Sequence, residues 1–361
     1  MTKIINHSYY YDLDPGNLSI VKDSVFDYIS EYNTLYLDCG RAALKAVSML
    51  YNNAEVLLPD YTCSSVIQGF SSLNNINFYH VNDDFSIDFN SLESLITPKV
   101  KLVCVVQFCG KLLPVEQREQ LLDLKNKYGF KIVEDATHSL LSSPLTFGDY
   151  GTCALYKWFP SPCGGVLYSK EELNKRLYEN LEQRQDPQRV YAMIMQFFKR
   201  NGLTGNTELI DQYFDKFDRE LTEKYNKTER LTQMPDFDKF VLSCFSVSEI
   251  RKRRKSNVKT LMDNINFDAV KPVFDNINND DCMFVYPIYV KDRDSLKNYL
   301  AQNKVFTAVY WNIKNIPKLC NNAASIKRSE RILALPINHN YDSNDMILMA
   351  ELINKWQKTK C

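Results

Sequence analysis

Two hydrophobic rhythms alternate along the first half of the chain. Short apolar runs at 35–37 (LYL), 54–58 (AEVLL), 77–81, 101–108 (KLVCVVQF) and 131–133 (KIV) read as buried strands. Between them, 41–50, 61–70, 89–96 and 115–128 carry apolar residues at helical spacing. A further helix is expected at 21–29, within a leading stretch rich in Tyr, Asn and Asp. Strand–helix alternation of this kind predicts a mostly parallel central sheet with helices on both faces, an α/β fold. Such a sheet binds its ligand at the C-terminal ends of its strands. Gly40, Pro59, Gln107 and Asp135 all fall at predicted strand ends.

The rhythm changes after residue 170. Residues 171–240 read as long, helical and polar, broken by the loop NGLTGN at 201–206. A helix at 247–262 carries the basic run RKRRK at 251–255. Strands at 283–290, 306–311 and 332–337 follow, with helices at 294–303 and 343–358. Ser343 is the expected N-cap of the last helix. The pattern divides the chain into a large domain, 1–240, and a smaller C-terminal α+β domain, 241–361. The first 30 or so residues are candidates to pack on the smaller one.

Composition narrows the function. Lys+Arg and Asp+Glu are 44 each in 361 residues, so the charge is balanced and no broad polyanion-binding surface is expected. The RKRRK run is read as the solvated face of a helix, and no nucleic acid partner is expected. No apolar run is long enough to span a membrane. The leading residues lack the apolar core of a signal peptide. Ten cysteines without a paired framework read as reduced thiols, so a cytoplasmic location is expected.

Several chemistries find no motif: there is no Gly-x-Gly-x-x-Gly, no P-loop and no Gly-x-Ser-x-Gly elbow. The four histidines, His7, His80, His138 and His339, show no zinc spacing, and no metal site is expected. What remains is the segment 130–170. Its first strand ends on Glu134-Asp135 and turns into Ala-Thr-His. Lys157 follows an apolar run, Ala154-Leu155-Tyr156, and precedes a Pro-rich loop and Gly164-Gly165, which opens a return strand at 164–168. An acid at one strand end and an amine near another is the pair that pyridoxal 5'-phosphate (PLP) requires. The amine holds the cofactor aldehyde as a Schiff base, and the acid keeps the pyridine nitrogen protonated. The turn at Gly40-Arg41, opening a helix, could hold a phosphate on free backbone N–H groups, or be an ordinary connection. His138, one turn beyond Asp135, could face the same ligand or be a structural hydrogen bonder.

These residues resemble the DegT/DnrJ/StrS family of PLP-dependent nucleotide-sugar aminotransferases, from about residue 35 to the C-terminus. Glu134-Asp135-Ala136-Thr137-His138 is similar to the family's Glu-Asp-Ala-x-Gln/His. Lys157 stands at the family's distance from Gly164-Gly165, and Gly40-Arg41-Ala42-Ala43-Leu44 stands at its phosphate turn. The resemblance implies a fold-type I transferase. Lys157 is then the catalytic lysine, and Asp135 the partner of the ring nitrogen. His138 lies over the ring or near its hydroxyl, and Gly40, Arg41 and Thr152 bind the phosphate. It further implies transfer of an amine from an amino acid, glutamate, to a keto-sugar nucleotide in amino-sugar synthesis for a surface polysaccharide or related glycoconjugate. A homodimer with a shared site is implied as well. Arg41 replaces the usual Thr, and Cys63 stands where many members place a ring-stacking aromatic, which leaves Tyr61 or nothing to stack. A PLP-dependent lyase or dehydratase, or a binding protein that has lost catalysis, are the alternatives.

Overall fold

The computed structural model describes residues 18–143, 145–179, 187–203 and 230–359. It also describes 5–6, 13–14, 16, 181–183, 205, 208–213, 216 and 219–220. His7, Thr204 and Asn206 lie outside the described residues.

A two-residue strand, β1 (Ile5–Asn6), leads into β2 (Asn33–Leu37), β3 (Glu55–Pro59), β4 (Asn75–Tyr79), β5 (Val100–Val106) and β6 (Lys131–Asp135). Then come β7 (Tyr150–Ala154), β8 (Gly165–Ser169), β9 (Glu182–Gln183) and β10 (Thr232–Gln233). All but β1 join one nine-stranded sheet in the order β4-β3-β5-β6-β7-β8-β2-β10-β9. The pairs from β4 to β7 are parallel. β8 is antiparallel to both β7 and β2, so β2 runs the same way as β7. The C-terminal ends of β2, β3, β5, β6 and β7 therefore share one edge. The buried strands are Val/Ile/Leu-rich because both faces are covered by helices.

A second, antiparallel sheet follows, built from β11 (Val270–Pro272), β12 (Tyr286–Val290) and β14 (Ile332–Leu335) in the order β11-β12-β14. β13 (Val305–Phe306) pairs instead with β1, which ties the leading residues to the C-terminal region. One apolar cluster runs continuously through the layers of both sheets.

The helix 115–128 appears at its predicted bounds, and its end is set by Gly129 in the left-handed region (φ 77°). Other expectations move. The strand expected at 306–311 stops at Phe306, because Tyr310 and Trp311 leave the sheet to reach Tyr61. The strand expected at 283–290 begins at Tyr286; the preceding backbone instead meets Cys109, where Phe284 N–H donates to the carbonyl. Asp342, not Ser343, caps the last helix: its carboxylate accepts from Asn344 and Asp345 N–H, and Asp345 reciprocates in a capping box. The basic run is not wholly solvated. Position 254 is in phase with Val247, Ile250, Val258 and Leu261, so Arg254 is 0% exposed while Lys252, Arg253 and Lys255 face water. The helix Ala323–Arg331 and strands β9 to β11 have no counterpart in the predicted elements.

Candidate active site

Three strand ends converge on one cavity. β2 turns through Cys39 into the helix Gly40–Leu50; β6 delivers Asp135; β7 delivers Ala154 and then a single helical turn, Leu155–Lys157. Register fixes this convergence, because Asp135 pairs with Thr152 and Ala154 with Gly165. The Gly-Gly signal has a mechanical cause. A Cβ at Gly165 would stand 2.1 Å from the Cys39 carbonyl oxygen and 2.7 Å from Gly40 N. Gly164 N–H donates to the Asp38 carbonyl at 2.7 Å. Only glycine lets the strand after the lysine loop lie against the Gly40 turn, so the two halves of the cavity are locked together.

Asp135 and Lys157 both line this cavity. Asp135 is buried, and burial pushes its carboxyl above the usual range, opposed by bonds from Thr137 and by the charge of Lys157. Thr137 N–H donates to its Oδ1 at 3.1 Å. A carboxylate this desolvated gains from a cation placed on it. The neighbouring acid does different work. Glu134 faces away, accepting from Gln107 Nε2 at 2.9 Å, Phe147 N–H at 2.7 Å and Gly148 N–H at 2.8 Å, and pins the loop before β7.

The far end is cationic. The first turns of the helices Gly40–Leu50 and Ser64–Ser71 both border the cavity, and Arg41 Nη2 donates to Ser65 Oγ at 3.2 Å. The two helix N-termini, a guanidinium and a hydroxyl form a donor set for a phosphate. Ser65 was not foreseen; its only sequence signal is a Ser-Ser pair opening a helix after a strand end.

His138 is 3% exposed, and both its ring nitrogens lack hydrogen-bond partners among the described residues. Burial and the Lys157 charge hold it well below the usual imidazole range, so it is neutral. Phe284 (4.5 Å, 13°) and Trp311 (5.4 Å, 18°) stack on it. With its faces engaged by these rings, the ring edge is what remains for a ligand. That favours contact with a ligand hydroxyl over a position above a ligand ring.

Two expectations are corrected. Thr152 does not line the cavity: its hydroxyl donates to the Glu134 carbonyl at 3.2 Å, and Ala154, one pleat further along β7, forms the wall. Tyr61 does not stack on a ligand either. It is fully buried beneath the wall; its hydroxyl donates to the Tyr310 carbonyl (2.7 Å) and accepts from Trp311 N–H (3.0 Å). Cys63 does line the cavity, and burial raises its thiol.

PLP fits these residues. The acid, the amine, the unpartnered imidazole nitrogens and the cationic end match the ring nitrogen, aldehyde, hydroxyl and phosphate of one small molecule. Fold and site together define a fold-type I, PLP-dependent enzyme. Residues 37–162, about a third of the chain, match the model of the DegT/DnrJ/EryC1/StrS aminotransferase family, and over this site-bearing stretch the chain is similar to that family. No curated protein matches the sequence. Solved structures with the same fold include the PLP form of a putative sugar aminotransferase, Spr1654 from Streptococcus pneumoniae. It is 17% identical with a TM-score of 0.67, over 98% of this chain and 93% of that one. An aminotransferase of the same family from Brucella abortus is 16% identical with a TM-score of 0.65, over 92% and 88%. DesI, solved in the presence of its TDP-sugar product, is 13% identical with a TM-score of 0.67, over 93% and 84%. At these identities the likeness concerns the fold. Among the described residues no helix is long and apolar enough to cross a membrane, and nine cysteines are unpaired.

Proposed function

We propose that this enzyme moves an amino group from an amino acid, L-glutamate, to a keto-sugar carried on a nucleotide. The observation that carries the reading is the meeting of Asp135 and Lys157 in one cavity with the Arg41–Ser65 pair at its far end. The sugar acceptor is supported by the family match and by the sugar aminotransferases that share the fold.

Bound PLP supplies the electron sink that stabilises negative charge at the donor's α-carbon. The protein's residues do the rest. Asp135, buried and desolvated, would hold the proton on the ring nitrogen. Lys157 Nζ would hold the cofactor and, once released, would be the base that takes the proton from the donor's α-carbon and delivers it, on the same face, to the carbon that carried the cofactor aldehyde. Neutral His138 offers a ring N–H to the cofactor hydroxyl. Gly40 and Arg41 hold the phosphate with Ser65 in place of Thr152. The chain divides near residue 240 into a large and a small domain; the enzyme works as a homodimer in the cytoplasm and serves amino-sugar synthesis for a surface polysaccharide or related glycoconjugate.

The test is spectroscopic and isotopic. Protein incubated with PLP is expected to absorb in the visible, to lose that band in Lys157→Ala, and to pass 15N from labelled glutamate to a keto-sugar nucleotide. Protein that stays colourless with excess PLP overturns the reading. Retained colour with ammonia or water as the product of sugar turnover points instead to a lyase or dehydratase.

A further inference from the structure

We infer that Trp311 is a specificity-determining residue: its indole is the platform on which the acceptor's sugar ring lies, and Tyr61 is the positioning residue that holds it there. The inference rests on the acceptor reading above and deepens it.

The cavity's other polar groups already have ligand partners in that reading. Asp135, Lys157 and His138 meet the cofactor ring, and Arg41 and Ser65 its phosphate. Of the residues lining the cavity among those described, Trp311 alone comes from beyond residue 157. It is half-buried, whereas Trp158 and Trp356 are buried, so part of its ring is open to a ligand at the cavity. A hexose ring presents C–H groups on its faces, and a flat, partly exposed aromatic is the surface that complements them.

The indole is held firmly. One Tyr61 hydroxyl meets both polar groups of the peptide unit in front of it, donating to the Tyr310 carbonyl and accepting from Trp311 N–H. The Tyr61 ring packs on the indole (6.0 Å, 49°) and is backed by Arg328, whose guanidinium lies 5.2 Å from the ring centre and donates to the Val81 carbonyl at 2.7 Å. The His138 ring also contacts the indole and lies nearly parallel to it.

The experiment uses the full-length, PLP-loaded enzyme and its Trp311→Ala, Trp311→Phe and Tyr61→Phe variants. Affinities for PLP, TDP and TDP-glucose are measured by absorbance and calorimetry. KM and kcat follow with glutamate and a TDP-linked 4-keto-hexose. In Trp311→Ala, TDP-glucose binding is expected to weaken about tenfold and KM to rise in step, about the loss of one aromatic contact and its buried area. Affinity for TDP alone and for PLP stays as in the wild type. Trp311→Phe recovers most of the loss, and Tyr61→Phe raises KM about threefold with kcat held. Unchanged TDP-glucose affinity in Trp311→Ala overturns the platform. So does an equal loss of TDP or PLP affinity, which a merely structural role would produce. A wild type that takes PLP but ignores TDP-glucose overturns the platform and the sugar acceptor while sparing the cofactor site; one that takes no PLP refutes the function itself.

Discussion

Replacing Arg254 tests whether the basic run is surface or strut. Arg254 is wholly buried; its Nη1 donates to the Phe284 carbonyl at 2.9 Å and more weakly to the Met283 carbonyl at 3.3 Å. Its guanidinium lies 4.6 Å from the centre of the Trp158 ring and 5.6 Å from that of Phe284. Arg254→Met keeps most of the side-chain volume and removes the donors. A buried carbonyl left unsatisfied costs about 1–3 kcal/mol. A desolvated cation–π contact is worth about 2 kcal/mol. Relief of the buried charge's own desolvation offsets part of this. The net expectation is a loss of about 2–4 kcal/mol in urea unfolding, against less than about 0.5 kcal/mol for Lys252→Ala or Arg253→Ala. Since Trp158 follows the lysine and Phe284 stacks on His138, PLP affinity should fall as well. An Arg254→Met melt as mild as those of its exposed neighbours would refute the strut.

Three further outcomes follow from the geometry. Burial raises the Asp135 carboxyl, so the folded state keeps that proton to higher pH than the unfolded chain; its contribution to stability is lost as pH rises from about 4 through the raised value. Asp135→Asn should flatten that part of the cofactor-free stability curve while abolishing transfer, and an unaltered melting-temperature profile across pH would count against it. Gly165→Ala drives a methyl into the Cys39 carbonyl, so it should cost several times the roughly 1 kcal/mol of an average substitution and cut PLP affinity, both read by thermal melts with and without cofactor. Asp342→Ala should destabilise by about 1 kcal/mol and Ser343→Ala by much less, since only the former removes the cap; equal effects in denaturant titrations would reassign it.

How much of this was legible in the sequence depends on what fixed each feature. The strands β5 and β6 and the helix 115–128 are set by local hydrophobic period, and their positions follow from it. Asp135 and Lys157 were legible because strand ends and a Gly-Gly pair punctuate them. Arg254 was misread because charge type was weighed above helical phase; the 3.6-residue period places it inward with Val258. Thr152 was misread because spacing along a strand does not say how deep a side chain lies below the sheet's edge. Trp311 left no signal. It reaches the cavity by a tertiary contact with Tyr61, 250 residues away in the chain.

The two kinds of feature answer to different constraints. The acid and the lysine loop sit on neighbouring parallel strands, and the register Asp135↔Thr152 holds their spacing whatever the surrounding side chains are. Moving either group would mean slipping a central strand, which would exchange the two buried faces and their packing partners. Groups that recognise the rest of the ligand have no such anchor. A guanidinium on one helix and a hydroxyl on the next can replace a strand hydroxyl at the phosphate. That exchange keeps the donor set while changing which residues supply it. The acid and the lysine are thus held by backbone register, and the groups proposed to recognise the rest of the ligand are held by side-chain contacts between elements.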